Sequence, residues 1–207
     1  MEEPSINAHD VTTETIPPDG DIKSTEKEYH AWGRFFLDVL ETLLLSAVLF
    51  LAINALSARV RVDGFSMKPT LQDGEFVLVN RLAYIFAPPA RGDIIVFHFP
   101  LDPNKQDLIK RIIGLPGERI TVKKGIVYVN GNPLKEPYIA APPMYSGEWK
   151  VPEDQLFVLG DNRNDSSDSH AWGYLPVNEI VGKAIFIYWP YTEWKLIDHY
   201  NFSKAIQ

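Results

Sequence analysis

Ser66 and Lys110 are the two side chains whose surroundings best suit chemistry. Ser66 sits in Val62-Asp63-Gly64-Phe65-Ser66-Met67-Lys68-Pro69-Thr70-Leu71, where a glycine, a serine and a proline close together impose a sharp turn with a hydroxyl at its apex. Lys110 sits in Asp107-Leu108-Ile109-Lys110-Arg111-Ile112-Ile113-Gly114-Leu115-Pro116-Gly117. Read as a strand, that segment puts Leu108, Lys110 and Ile112 on one face and Ile109, Arg111 and Ile113 on the other. A free lysine is only about 0.04% neutral at pH 7, but burial between aliphatics disfavours the ammonium and can lower its pKa by several units. A neutral amine beside a serine is a competent base for its hydroxyl. The alternatives are plain: a turn serine bonded to its own backbone, and an edge-strand lysine with its amine in water.

A third stretch, Gly160-Asp161-Asn162-Arg163-Asn164-Asp165-Ser166-Ser167-Asp168-Ser169-His170, is dense in short hydrogen-bonding side chains. It must be a loop held by side-chain-to-backbone bonds. Five oxygen-bearing side chains (Asp161, Asn162, Asn164, Asp165, Asp168) leave calcium as another reading, without the EF-hand spacing. The chain has no cysteine, which removes disulfides, thiolate metal sites and cysteine nucleophiles. Its histidines, His9, His30, His98, His170 and His199, share no metal-ligand spacing. No metal and no cofactor are implied.

These residues need elements to hold them. The 207 residues are 45% hydrophobic and 23% charged, ordinary for a protein with a packed core. Residues 1–30 carry Glu2, Glu3, Asp10, Glu14, Asp19, Asp21, Glu26 and Glu28 against Lys23 and Lys27, most of the net charge of −7, and read as a disordered acidic tail. The nearly neutral remainder has no Lys/Arg cluster, which argues against a nucleic-acid partner. Residues 42–58, TLLLSAVLFLAINALSA, hold no charge, and 31–58 read as one membrane-anchor helix. A buried core helix and a cleaved signal peptide ending at Ala55-Leu56-Ser57 are the other readings. The acidic lead-in, in place of a basic n-region, speaks against the latter.

Beyond Arg59 the hydrophobic period falls to two. Strands are predicted at 75–80, 93–99, 107–113, 119–122, 126–129, 155–159 and 183–189, with hairpin turns at Lys124-Gly125 and Asn130-Gly131. The fold class is mainly β. A catalytic β core is expected over 59–117 and 153–200, an inserted hairpin module over 118–152 and a C-terminal tail over 201–207.

Taken in order, the anchor, Ser66–Leu71, Arg91–Phe97, Lys110–Gly117 and Gly160–Arg163 with Ser166, Asp168 and Ser169 resemble the bacterial type I signal peptidases. The resemblance runs from about Leu43 to Trp189. It implies a signal-peptidase-like β-fold after one transmembrane helix, and a serine endopeptidase in which Ser66 is the nucleophile and Lys110 the general base. It implies that Ser166 orients the lysine, and that Asp161 and Asp168 are structural members of the loop behind the dyad. It also implies cleavage after small-x-small (Ala-x-Ala) sites. The substrates would be signal-peptide-bearing preproteins emerging from the secretion machinery, with membrane lipid as a further partner. The enzyme would sit in the bacterial inner membrane, single-pass, with its body on the extracytoplasmic side. Val62, Asp63, Met67, Leu71, Leu108 and Ile109 are the candidate substrate-pocket residues by position.

Two departures stand out. Where some members carry a hydroxyl oxyanion donor two residues before the nucleophile, this chain has Gly64. Where the loop often ends in Asp-Ser-Arg, it has Asp168-Ser169-His170. Two rival readings remain at this point: a tethered β-domain that binds extended peptides without cutting them, and a self-cleaving Ser/Lys regulator. The latter usually carries a DNA-binding domain, and none is recognisable here.

Overall fold

The computed structural model describes residues 22–200 and residue 202, with side chains from residue 32 onward. The acidic tail through residue 21 therefore lies outside the described residues. The chain divides into two compact units at Phe50 and Leu51.

Helix α1 runs Ile22–Leu56 and contains a 25-residue span, Trp32–Leu56, long and apolar enough to cross a membrane. It differs from expectation at both ends. Residues 22–30, read as part of the tail, are helical, because Lys and Glu there support a helix as readily as they support solvation. Ser57 and Ala58, read as the last residues of the anchor, instead open strand β1 (Ser57–Arg61), which pairs antiparallel with β2 (Phe76–Asn80).

The body is mainly β. After β2 come β3 (Ile94–His98), β4 (Asp107–Gly114), β5 (Arg119–Lys123), β6 (Ile126–Val129), β7 (Asn132–Pro133), β8 (Gly147–Lys150) and β9 (Gln155–Leu159). A one-turn helix α2 (Ser169–Trp172), β10 (Leu175–Pro176), β11 (Ile180–Trp189) and β12 (Lys195–Leu196) complete it. The main sheet has the order β1-β2-β11-β3-β4-β9-β10, with β12 also on β11. Both its faces are covered, so β3 is apolar at every residue but the last: Ile94 and Val96 pack into one cluster, Ile95 and Phe97 into another.

The second sheet, β7-β6-β5-β8, is built from residues 119–150. Its two hairpins turn where Lys124-Gly125 and Asn130-Gly131 adopt positive φ. This segment is less separate than an inserted module would be. Ile120, Val122, Val127, Val129 and Val151 share one core cluster with Ile113, Phe157 and Leu159 of the main sheet. Of the expected 201–207 tail only Phe202 is described; it is buried and packs edge-on against Tyr200 and Tyr138.

A buried ion pair fastens the segment after β7 to the 160–170 loop. Arg163, fully buried, donates to Glu136 at 2.7 and 2.5 Å, and Tyr138 Oη donates to the same carboxylate at 2.8 Å. Removing one partner of a buried pair strands the other charge, so Glu136→Leu is expected to cost about 3–5 kcal/mol. Urea unfolding of the full chain in neutral detergent reads this as a lowered midpoint. The double variant Glu136→Leu/Arg163→Met should regain most of the loss; equal losses in single and double variants would contradict the pairing.

Candidate active site

Ser66 lies at the start of a tight turn in which Lys68 N donates to the Phe65 carbonyl and Leu71 N to the Met67 carbonyl. The turn is held from the far end of the sequence. Asn162 N donates to the Ser66 carbonyl at 3.0 Å, and Asn162 Nδ2 to the Phe65 carbonyl at 3.2 Å. Gly160 fits because it lacks a side chain: a Cβ there would collide with the Ser66 carbonyl and Ser166 Oγ. On the other side Gly64, at φ +92°, donates its N–H to Asp73 Oδ1 and leaves open space around its Cα.

Lys110 comes from the middle of β4 and is 3% exposed. Its Nζ lies 2.8 Å from Ser66 Oγ and donates to the Ile109 carbonyl at 3.0 Å. Burial brings its pKa down from 10.5 to about 8, against the opposing pull of Asp168 and Asp161. Both carboxylates are engaged by other donors. Asp161 accepts a bidentate pair from Arg111 (2.8 and 2.7 Å) and a 2.5 Å bond from Thr70 Oγ1. Asp168 accepts from Gly160 N at 2.9 Å and His170 N at 3.2 Å, and its Oδ1 lies 2.6 Å from His170 Nδ1. His170 stacks on Tyr145 at 4.0 Å between ring centroids, so Asp168-Ser169-His170 still offers Asp168 a neighbour. The Asp161 and Asp168 oxygens are thus engaged by Arg111, Thr70, Gly160 and His170.

Ser166 reaches the site without the contact expected of it. Its Oγ is buried, has no hydrogen-bond partner among the described residues, and packs at Gly160. Lys110 turns its second hydrogen bond to the Ile109 carbonyl instead.

A groove of about 660 Å³ opens over the pair. Val62, Asp63, Met67, Leu108 and Ile109 line it together with Ser66 and Lys110. Leu71 does not. It is fully buried in the core, because the Met67–Leu71 turn points it inward. The groove has strand edges on both sides. β4 pairs with β3 through Asp107–Arg111, but with β9 only from Arg111 onward, leaving Asp107–Lys110 open on one side. Ile112 bonds toward residues 92 and 93, so by alternation Asp107 and Ile109 turn their backbone groups the other way. Val62 bonds to Glu75 and Gly74, so Arg61 and Asp63 likewise face away from β2.

Sequence reading missed the support behind the pair. Arg111 was placed on the opposite face from Lys110 and given no role. It is 1% exposed, binds Asp161 and the Gly92 carbonyl, and lies 4.0 Å over the Tyr138 ring. Arg163 reaches the Gly160 carbonyl while paired with Glu136. The signal available was a Lys-Arg dipeptide in an otherwise apolar strand: a second cation there needs a buried acid, and the acid lies 50 residues away.

A family model described as signal peptidase, peptidase S26, matches residues 36–189. The chain is 47% identical over 163 residues to signal peptidase I of Leptolyngbya laminosa, covering 74% of this chain and 80% of that one. It is 42% identical over 180 residues to probable signal peptidase I-1 of Synechocystis sp., covering 83% and 92%. A crystal structure of a signal peptidase I from Enterococcus faecalis is 34% identical, covers 46% of this chain and 95% of that one, and has a TM-score of 0.43. The chain belongs to the signal peptidase family, peptidase S26, and its activity is that of a type I signal peptidase.

The lowered lysine pKa has two measurable consequences. At pH 7 a group titrating near 8 is roughly 10% neutral, against about 0.03% for one at 10.5. The acid limb of kcat/KM should therefore lie near pH 8 rather than above 10. Between those values the unfolded chain holds the proton that the folded chain has shed, so stability rises with pH by up to about 3 kcal/mol. Lys110→Met should flatten that rise in urea unfolding; an unchanged slope would mean that the amine is not desolvated.

Proposed function

We propose that this membrane-anchored enzyme cleaves preproteins after small-x-small sites, with Ser66 as nucleophile and neutral Lys110 as general base. The 2.8 Å approach of Lys110 Nζ to Ser66 Oγ, on the floor of a groove with open strand edges, carries the reading.

The substrate lies extended between Arg61–Phe65 and Asp107–Lys110, adding a strand to the free backbone groups on both sides. Its scissile carbonyl meets Ser66. As Oγ bonds to the carbonyl carbon, Lys110 Nζ takes the hydroxyl proton. The negative oxygen is received by the Ser66 backbone N–H, which has no protein acceptor among the described residues. Gly64 offers no side-chain donor there. Lys110 then returns its proton to the leaving amine as the peptide bond breaks, and an ester to Ser66 remains. A water gives its proton to Lys110 and attacks the ester; as the ester bond breaks, Lys110 returns that proton to Ser66 Oγ and the new carboxyl end is freed. In this scheme Ser166, packed at Gly160, is a positioning residue that reaches the amine once substrate has excluded water.

Pocket size sets the cleavage rule. Val62, Met67 and Ile109 are all under 10% exposed and packed into the core while also facing the groove, so the wall cannot recede. Large side chains at the minus-one and minus-three positions would need that wall to move. The chain crosses the membrane once through Trp32–Leu56, with its body on the extracytoplasmic side, where preproteins emerge from the secretion machinery. Exposed Ile85, Phe86, Trp189 and Trp194 offer lipid an apolar surface. Trp172 is not part of it, being packed on Phe97 and Phe99.

The test uses the full chain in detergent and a precursor ending its signal peptide in Ala-x-Ala. The parent should cleave it, and Ser66→Ala, Lys110→Ala and Lys110→Arg should lose at least about a thousandfold, since a guanidinium is no base near neutrality. Leu at minus one should block cleavage of the precursor. A parent that binds the precursor without cutting it would favour the tethered peptide-binding reading.

A further inference from the structure

A second cavity, of about 620 Å³, lies at the other end of β1. Asn54, Ser57, Arg59, Arg81, His98 and Asp107 are among its lining residues. Three observations converge on it.

The first is depth. The last six residues of α1, from Leu51, belong to the same compact unit as the strands. The apolar span of 25 residues ends at Leu56, and at about 1.5 Å per residue it exceeds a hydrocarbon core of roughly 30 Å. Asn54 and Ser57 therefore mark the level at which lipid headgroups lie.

The second is charge. Arg59 and Arg81 are exposed, and among the described residues neither has a carboxylate within ion-pair distance. Asp107, the one acid lining the cavity, lies 2.8 Å from His98 Nδ1. Two guanidiniums against one carboxylate leave the cavity positive.

The third is rigidity. β1 is registered on β2 from Ser57↔Asn80 to Arg61↔Phe76, and Arg81 N donates to the Leu56 carbonyl at 3.1 Å. The backbones that carry both arginines are therefore locked to the end of the helix. An exposed arginine on a flexible loop would show no such placement.

We propose that this cavity holds the phosphate of one anionic membrane lipid, clamped between Arg59 and Arg81 at the foot of the anchor. A planar guanidinium presents paired donors that match phosphate oxygens. The site is distinct from the substrate groove but shares Arg59 and Asp107 with it. The inference needs only the anchor and the cavity, so it stands apart from the Ser66–Lys110 assignment.

Native mass spectrometry of the full chain in neutral detergent tests it, with palmitoyl-oleoyl phosphatidylglycerol, the phosphatidylcholine of the same chains, and soluble glycerol 1-phosphate as probes. One phosphatidylglycerol per chain should bind preferentially over phosphatidylcholine. Arg81→Gln should weaken that preference roughly fivefold, and Arg59→Gln/Arg81→Gln should abolish it. Arg81→Lys should keep most of it. Cleavage of a precursor by Arg81→Gln in lipid-free detergent, at the parental rate, shows that the variant is folded. Equal binding of both lipids overturns the proposal, as does an Arg81→Gln preference equal to the parent's. Glycerol 1-phosphate binding as tightly as the lipid would assign the cavity to a soluble phosphate and overturn it too.

Discussion

An amine kept out of water without a carboxylate bonded to it is the constraint on which the site depends. Burial alone would lower the Lys110 pKa, but Asp161 and Asp168 lie close enough to pull it back up. Were either to bond the amine directly, the lysine would be held as its ammonium, paired and inert as a base. The fold prevents this by giving each acid better partners. Arg111 takes both oxygens of Asp161 through Nε and Nη2, and Gly160 N with His170 takes Asp168. Because neighbouring residues in a strand point to opposite faces, one Lys-Arg pair provides both the amine beside Ser66 and the cation that occupies a competing acid.

The same logic explains the loop and the small second sheet. The 160–170 segment has no core of its own and is fixed by bonds to outside partners: Asn162 to the Ser66 carbonyl, Arg163 to Glu136, Asn164 to the Pro142 carbonyl. Two of those partners lie in 118–152. Its sheet shares a core with the main one and supplies Glu136 and Tyr138. The module thus holds the loop, the loop holds the Ser66 turn, and the serine stays within 2.8 Å of the amine.

Much of this was legible in the sequence where the signal is local. Short β-branched or aromatic runs between breakers marked β2, β3, β4, β5, β6, β9 and most of β11, and the two hairpin turns of the second sheet were marked by their glycines. Strand β1 was not, because Ser57 and Ala58 continue an uncharged helical run and only pairing with β2 ends it. β8, with Glu148 and Lys150 flanking Trp149, lacks a β-branched residue. Ser66 and Lys110 were legible from their surroundings together with the order of the motifs. Glu136, Arg163 and Tyr138 were not, since their meaning rests on contacts between distant segments. Leu71 was misplaced for a related reason: nearness to Ser66 in sequence does not say which way a turn points its side chains.

The groove raises a further question of design, because an unpaired strand edge also invites unwanted partners. This chain limits the hazard with residues that serve the site. The open stretch of β4 is only Asp107–Lys110, bounded by Pro100 and Pro103 upstream and by β9 beyond. Lys110 Nζ already donates to the Ile109 carbonyl, so an entering strand must share that acceptor with the amine. The facing edge carries Arg59, Arg61 and Asp63, all exposed, and each would have to be accommodated by an intruder. A strand that enters must therefore fit a short open stretch beside the buried side chains of Val62, Met67 and Ile109. The residues that line the groove are thus also the ones that guard its open edges.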